Sequence, residues 1–189
     1  MTNTHILILL GSLRAASVNR QLAEVAVGGA PEEVGVAVYG DGTGGAGLGE
    51  VPFYNEDLDV DEHRPAAAVA LRAAVDAADA ILIVTPEYNG GVPATVKNAI
   101  DWLSRPYGDS ALKGKPAAVI GTALGRFGGV WAHDEVRKSL GIAGARVVES
   151  VTLSLPAKQL DGRHPGEVGT VAAAVREAVE ALAGAVTPD

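Results

Sequence analysis

Three polar, glycine-containing segments of the chain hold the residues best suited to chemistry. The first, residues 11–19, carries Ser12, Arg14, Ser17 and Asn19, which offer neutral donors and one cation. If a helix begins there, a phosphate would also accept hydrogen bonds from backbone N–H groups at the positive end of the helix dipole. Neutral donors with a single cation suit one terminal phosphate. Serine and asparagine are also favoured as ordinary helix caps, so both interpretations stay open.

The second segment, residues 85–93, has the composition of a site for a flat ring. It contains the consecutive residues Pro86, Glu87, Tyr88, Asn89 and Gly90. Asn89 and backbone amides can hydrogen-bond a ring edge, while Tyr88 can cover a flat face. A tight turn from a strand into a helix also requires proline, asparagine and glycine, and explains the segment equally well.

The third segment, residues 121–129, is rich in glycine and carries one cation. Gly121 and Gly125 would let the backbone approach a ligand closely, and Arg126 adds the charge. A flexible surface loop would have the same composition. Three such segments at one end of one sheet favour a binding site more strongly than any one of them alone.

The elements that must position these segments follow from the alternation of short apolar runs with longer helical patterns. The apolar runs predict strands at residues 6–10, 34–39, 80–85, 117–122 and 146–155. The intervening patterns predict helices at residues 19–30, 62–78, 93–104, 130–140 and 168–182. This alternation predicts one α/β domain over residues 1–189, a flavodoxin-like, doubly wound, five-stranded parallel sheet of order 2-1-3-4-5 with helices on both faces. Ligands of such sheets bind beyond the carboxyl ends of the strands, where the three segments would meet.

Composition excludes several classes of function. The net charge of −8 and the pI of about 5.0 disfavour nucleic acid and anionic membranes as partners. The absence of cysteine excludes disulfides, thiolate nucleophiles and cysteine-ligated metals, so redox chemistry would require a bound cofactor. No secretory signal or membrane-spanning run is evident, and a cytoplasmic location is expected.

Two other patterns are interpreted as non-functional. Residues 40–45 spell G-x-G-x-x-G, but Pro52 and an absence of helical periodicity follow, unlike a dinucleotide fingerprint. His5, His63, His133 and His164 lack the spacing of metal ligands and are interpreted as surface or packing residues.

Taken together, the three segments resemble the NADPH-dependent FMN reductase family, a flavodoxin-like group that includes quinone, azo-dye and chromate reductases. The resemblance covers about residues 6–151. Its most specific part is the long motif from Thr85 to Trp102, and its phosphate loop is Gly11-Ser12-Leu13-Arg14 with Ser17 and Asn19. Residues 51–58 and the strand beginning at Lys115 are also similar to the family.

This resemblance implies FMN as cofactor and NADPH or NADH as electron donor. By position, it implies a phosphate site of Ser12, Arg14, Ser17 and Asn19. It implies that the isoalloxazine is lined by Pro86, Glu87, Tyr88, Asn89 and Gly90 and bordered on its other side by Gly121, Gly125 and Arg126. No side chain need act as an acid or base, because the flavin carries the chemistry.

The resemblance further implies a small-molecule electron acceptor, either a quinone, free flavin, an azo compound or a metal ion. It also implies self-association into a dimer or tetramer. The alternative is a flavodoxin-type electron carrier that does not react directly with NAD(P)H. Arg14 and Arg126 are equal candidates for setting the choice of nicotinamide coenzyme.

Two features leave alternatives open. The segment Val130–His133 stands where the family often has Arg and Gln, in the region that usually borders the open face of the flavin in that family. Lys97 and Asp101 are spaced for an ion pair within one helix, but the resemblance also allows them to face a second subunit.

Overall fold

The computed structural model describes residues 4–41 and 47–186, and within them a parallel sheet forms the centre of the molecule. Its strands are β1 Thr4–Leu10, β2 Val34–Val38, β3 Ala80–Val84, β4 Pro116–Ala123, β5 Arg146–Val147 and β6 Ser154–Pro156. The order along the sheet is β2-β1-β3-β4-β5, with β6 also paired to β4 and all pairings parallel. The predicted strand order is confirmed. Most of the G-x-G-x-x-G pattern lies outside the described residues.

The far edge of the sheet corrects one detail of the prediction. The fifth strand is not continuous over residues 146–155 but is split into β5 and β6, both along β4. From Ala117 to Gly121 the chain of β4 advances four residues, while the facing chain from Val147 to Ser154 advances seven. The extra residues leave the ladder, and the Arg137 guanidinium donates to the Val119 and Val151 carbonyls in their place (3.2 and 3.0 Å). Apolar residues on both sides of the gap made the run look continuous in the sequence.

Within residues 4–41 and 47–186, five α-helices cover the sheet, each close to its predicted position. They are α1 Val18–Gly28, α2 Ala66–Asp76, α3 Ala94–Leu103, α4 Val130–Ile142 and α5 Gly169–Gly184. The largest difference in bounds is at α2, which begins after Pro65 and not at residue 62. Proline is favoured at such a boundary because it lacks the N–H that the helix interior needs. Among the described residues, no helix is long and apolar enough to cross a membrane.

Strand β1 shows why both faces of the sheet are apolar. Its alternate residues Leu7 and Leu9 belong to a core that includes residues of α2, α3 and α4. Ile6, Ile8 and Leu10 belong to a second core that includes residues of α1 and α5. Because successive side chains of a strand point to opposite faces, a strand covered on both sides must be apolar throughout.

Helix α3 ties a neighbouring loop to this framework. Asn98 accepts a hydrogen bond from the Tyr54 N–H (2.8 Å), and the Trp102 indole donates to the Pro52 carbonyl (2.7 Å). Lys97 and Asp101 on the same helix form an ion pair at 2.6 Å. Within this chain, the intrahelical pairing of Lys97 with Asp101 is therefore the one observed.

Candidate functional site

A cavity of about 570 Å³ lies beyond the carboxyl ends of β1, β3 and β4, where the order of the strands reverses. All three predicted segments contribute to it. Nine of the predicted site residues line the cavity: Ser12, Arg14, Ser17, Asn19, Pro86, Glu87, Tyr88, Asn89 and Gly125. The fold thus brings together residues that are more than one hundred positions apart in the sequence.

Three predicted residues are not among the described residues that line the cavity: Gly90, Gly121 and Arg126. Gly90 lies on the outer side of its turn, where a Cβ would sit 3.7 Å from the Trp131 ring. Gly121 lies inside β4, and the guanidinium of Arg126 stacks on the Phe127 ring at 4.4 Å. The wall at the end of β4 is formed by Thr122, Ala123 and Leu124, which sequence reasoning did not single out, nor did it single out Val18 and Ala157. These residues are small or apolar and carry no chemical signal of their own.

The loop after β1 ends in a capped helix. Ser17 is the N-cap of α1, and its hydroxyl oxygen accepts from the Asn19 N–H at 3.2 Å. A hydroxyl that accepts one bond still has a proton to donate into the cavity. The two interpretations of this segment, as helix cap and as anion site, are therefore compatible in one geometry.

Asn19 differs from the other polar residues of this segment in its hydrogen bonds. It is buried, as Ser12 and Ser17 are, but its side-chain amide pairs with the backbone of Thr122. The amide donates to the Thr122 carbonyl (3.0 Å) and its oxygen accepts from the Thr122 N–H (2.9 Å). Both polar atoms of Asn19 are thus already engaged in joining the start of α1 to the end of β4.

Arg14 is the single cation among the described residues that line the cavity. Its side chain is exposed, and across residues 4–41 and 47–186 it makes no hydrogen bond or ion pair. Glu87 is the single carboxylate of the same lining. An unpaired guanidinium beside Ser12 and Ser17 gives this end of the cavity the character of an anion site.

The end of β3 is packed between two glycines. A Cβ on Gly11 would lie 2.4 Å from the Thr85 hydroxyl oxygen, and a Cβ on Gly121 would lie 1.9 Å from the Thr85 carbonyl oxygen. No side chain fits at such distances. Gly11 and Gly121 therefore bring three strand ends together directly below the cavity.

The loop after β3 forms a tight reversal. Asn89 and Gly90 both have positive φ angles, +52° and +75°, and Tyr88 and Gly91 exchange backbone hydrogen bonds across them. Asparagine followed by glycine is the preferred sequence for such a turn. The turn presents Tyr88, which is 55% exposed, and Asn89 to the cavity.

Helix α4 holds this loop from outside. The Glu87 carboxylate accepts from the Ala132 N–H in the first turn of α4 (3.2 Å), where the helix dipole also favours a negative charge. In return, Glu135 of α4 accepts from the Val92 N–H (3.1 Å). The loop and the helix are thus joined at both ends of the loop.

His133 adds a third and fully buried connection. Its Nε2 lies 3.0 Å from the Thr85 carbonyl oxygen and its Nδ1 lies 2.6 Å from the Ser154 hydroxyl. Since a carbonyl only accepts, Nε2 carries the proton. Burial lowers the pKa of His133 below its ordinary value, and the nearby Arg137 lowers it further, against the opposing effects of the Thr85 bond, Glu87 and Asp134. The sequence interpretation of His133 as a packing residue omitted its contact with the site.

The segment Val130–His133, which departs from the family pattern, forms the start of α4. Its Trp131 is 55% exposed and packs against Phe127, with ring centroids 5.3 Å apart. The same segment buries Ala132 and His133. The departure therefore consists of one exposed aromatic ring beside the loop after β3 and one buried imidazole beneath it.

Comparison with known proteins agrees with this geometry. A quinone reductase of Pseudomonas putida is 37% identical over 161 residues, covering 85% of this chain and 77% of its own. A 2-hydroxy-1,4-benzoquinone reductase of a Burkholderia species is 40% identical over 132 residues, covering 70% and 67%.

Among solved structures, the flavoenzyme NAD(P)H:(acceptor) oxidoreductase FerB of Paracoccus denitrificans superposes with a TM-score of 0.80. It is 31% identical, with 97% of each chain covered. A WrbA-like flavodoxin of Agrobacterium tumefaciens, 20% identical with a TM-score of 0.57, covers 96% of this chain and 97% of its own and supports the fold alone. The sequence profile of the family described as NADPH-dependent FMN reductase matches residues 4–159. By this match and the identity to its relatives, the chain belongs to the NADPH-dependent FMN reductase family.

Proposed function

We propose that this oxidoreductase passes electrons from NAD(P)H through FMN to a quinone, with the FMN held in the cavity beyond β1, β3 and β4. The observation that carries the proposal is that the two ends of the cavity differ in chemistry. One end has an unpaired arginine and two serines at a helix N-terminus, and the other has an aromatic ring and an amide on a tight turn. A phosphorylated cofactor with a flat ring matches both ends.

The residues of the first loop suit the phosphate. We assign it to Arg14, Ser12 and Ser17, with the backbone N–H groups at the start of α1. Asn19 contributes by holding the end of β4 against this loop, since its amide is paired with Thr122. One arginine with neutral donors suits a single terminal phosphate better than a pyrophosphate.

The residues of the second loop suit the ring. We assign its edge to Asn89 and the backbone around it, its face to Tyr88, and its far side to the wall from Thr122 to Gly125. When bound, FMN supplies the capacity to accept electrons from a nicotinamide and release them to an acceptor. The protein's part is to bind and orient, so no acidic or basic side chain is required.

A quinone is the acceptor that the relatives favour, because several of them are named quinone reductases. Free flavin, azo compounds and metal ions are further acceptors for the same open cavity. Two of the residues that line the cavity expose apolar side chains: Leu124 is 93% exposed and Tyr88 is 55% exposed. Such side chains suit a flat, uncharged acceptor.

We further infer that the chain is one domain, that it self-associates as a dimer or tetramer, and that it works in the cytoplasm. Both cores pack on faces of one sheet, which supports a single domain.

Exposed apolar side chains at Phe53, Leu124 and Trp131 support self-association. Size-exclusion chromatography with light scattering gives the oligomeric state, and a monomer would contradict that part of the proposal.

The function is tested by anaerobic stopped-flow absorbance of the FMN-loaded protein mixed with NADPH and, separately, with NADH. We expect rapid bleaching of the flavin band, faster with the preferred coenzyme, followed by reoxidation on addition of a quinone. A protein that binds FMN but stays oxidised with both donors would be an electron carrier. A protein that binds no FMN would contradict the proposal as a whole.

A further inference from the structure

The hydrogen-bond ladder between β3 and β4 ends one step before the cavity. Val84 faces Ile120 in the register, and the Thr85 N–H donates to the Ile120 carbonyl at 3.0 Å. In a regular parallel ladder the next bond runs from the Thr122 N–H to the Thr85 carbonyl. Neither group makes that bond. The Thr122 N–H donates to Asn19, and the Thr85 carbonyl accepts from His133.

We propose that His133 is a positioning residue for the flavin. By donating a hydrogen bond to the Thr85 carbonyl, it sets the direction in which the chain leaves β3, and this direction places the turn that binds the ring. This assignment rests on the proposed function, since it requires the flavin ring to lie on residues 86–89. Asn19 is its counterpart on the phosphate side of the cavity. Together, the Asn19 and His133 side chains replace one backbone hydrogen bond between β3 and β4, next to the cavity that would hold the cofactor.

The residues packed around His133 favour its hydrogen bond to the Thr85 carbonyl. Gly121 and Gly129 leave room for the imidazole, because a Cβ on either would lie 2.7 or 3.1 Å from Nε2. The Thr85 carbonyl sets the tautomer, because it can only accept and so requires the proton on Nε2; the Ser154 hydroxyl then donates to the unprotonated Nδ1. His133 is fully buried, so water cannot substitute for the imidazole at the Thr85 carbonyl.

The hydrogen bond from His133 to the Thr85 carbonyl affects the ring site because Thr85 stands at the start of the loop. Thr85 immediately precedes Pro86, and Pro86, Glu87, Tyr88 and Asn89 all line the cavity. The other hydrogen bonds between the loop and α4, from the Ala132 N–H to Glu87 and from the Val92 N–H to Glu135, involve loop residues further along the chain. His133 is therefore the first constraint on the loop after the last sheet hydrogen bond.

The test compares two substitutions at this position. His133→Gln keeps an N–H at about the place of Nε2, whereas His133→Leu fills the space without a donor. We expect His133→Leu to bind both FMN and riboflavin about tenfold more weakly, by equal factors because both contain the ring. We expect His133→Gln to restore most of the affinity and the visible circular dichroism of the bound flavin.

A matched control separates positioning from general stability. Val136→Ala removes buried apolar volume from the same helix on its core side, away from Thr85. It should lower the free energy of unfolding and leave flavin affinity unchanged. If His133→Leu likewise lost only stability, or if His133→Gln bound flavin as poorly as His133→Leu, the assignment would be wrong.

Amide hydrogen exchange tests the same bond without any flavin. In His133→Leu we expect faster exchange of the Tyr88 and Gly91 amides, which are bonded to each other across the turn. Unchanged exchange at both amides would overturn the assignment. If the wild-type protein bound neither FMN nor riboflavin, the proposed function would fail, and faster exchange in the variant would show only that His133 holds the turn.

Discussion

The two ends of the cavity are built in opposite ways. The loop after β1 offers side chains that the protein does not itself use, above all Arg14 and the donor capacity of Ser12 and Ser17. The loop after β3 is held from outside by Glu87, Glu135 and His133. One end is ready to interact with a charge, and the other is fixed in shape.

This difference follows from what each end of the proposed ligand requires. A phosphate is recognised by charge and many donors, so flexible side chains and helix N–H groups are sufficient. A planar ring is recognised by position, so its loop must be held rigidly before the ligand arrives. Substitutions at the phosphate end should therefore alter affinity for FMN alone, and substitutions at the ring end should alter affinity for every flavin.

Gly121→Ala should have the largest effect of any single substitution considered. Its Cβ would lie 1.9 Å from the Thr85 carbonyl oxygen and 2.7 Å from His133 Nε2, so backbone must move at the fixed end. We expect a loss of about 3 kcal/mol in the free energy of unfolding, measured by urea denaturation. Gly125→Ala is the control, because nothing lies within 4 Å of the added Cβ. Equal losses for both would show that Gly121 is not tightly packed.

Arg14→Ala should come next and should act on the phosphate alone. Losing a charge-assisted hydrogen bond at an exposed site should weaken FMN by about 1.5 kcal/mol, roughly tenfold. Affinity for riboflavin, which lacks the phosphate, should be unchanged in fluorescence titrations. Arg126→Ala is the matched control, since Arg126 lies against Phe127 and outside the cavity lining. If Arg14→Ala weakened both ligands equally, the phosphate would not lie at this end.

A larger share of the residues predicted on the loop after β1 than of those predicted on the other two segments lines the cavity, and the reason is physical. Ser12, Arg14 and Ser17 lie within six consecutive residues of the chain, and donors near a helix start are visible as residue types. The hydrogen bond from the Asn19 N–H to Ser17 is also local. The strand order was equally accessible, because runs that are apolar on both faces require a covered parallel sheet.

What the sequence did not reveal depends on contacts between distant segments. His133 meets Thr85 and Ser154 only after the sheet and α4 are packed, and an isolated histidine is most often an ordinary packing residue. The same holds for Asn19, whose partner Thr122 is 103 positions away. The division of the last strand into β5 and β6 depends on the Arg137 guanidinium replacing ladder bonds.

Asn89 allows the side chain and the backbone of the ring loop to be separated. Its φ of +52° is acceptable to glycine and unfavourable to alanine. Asn89→Gly should therefore weaken FMN and riboflavin alike by about 1 kcal/mol, roughly fivefold, through the lost side-chain hydrogen bond alone. Asn89→Ala should lose further affinity because the turn is strained. If Asn89→Gly bound flavin as tightly as the wild type, the Asn89 side chain would not contact the ring.

The smallest effect should come from a change of pH. It would act through His133, the buried histidine that contacts the loop after β3. Burial holds the pKa of His133 in the folded protein below its ordinary value of 6.5, so the unfolded chain binds the proton more readily. The stability that a neutral His133 contributes is fully present above the unfolded pKa and is lost as the pH falls from there toward the folded pKa. Urea denaturation between about pH 7.5 and pH 5.5 should show a decline in the wild type that is shallower in His133→Gln. The two proteins differ only at position 133, so an equal decline in the two would mean that the His133 imidazole accepts a proton as readily inside the fold as outside it.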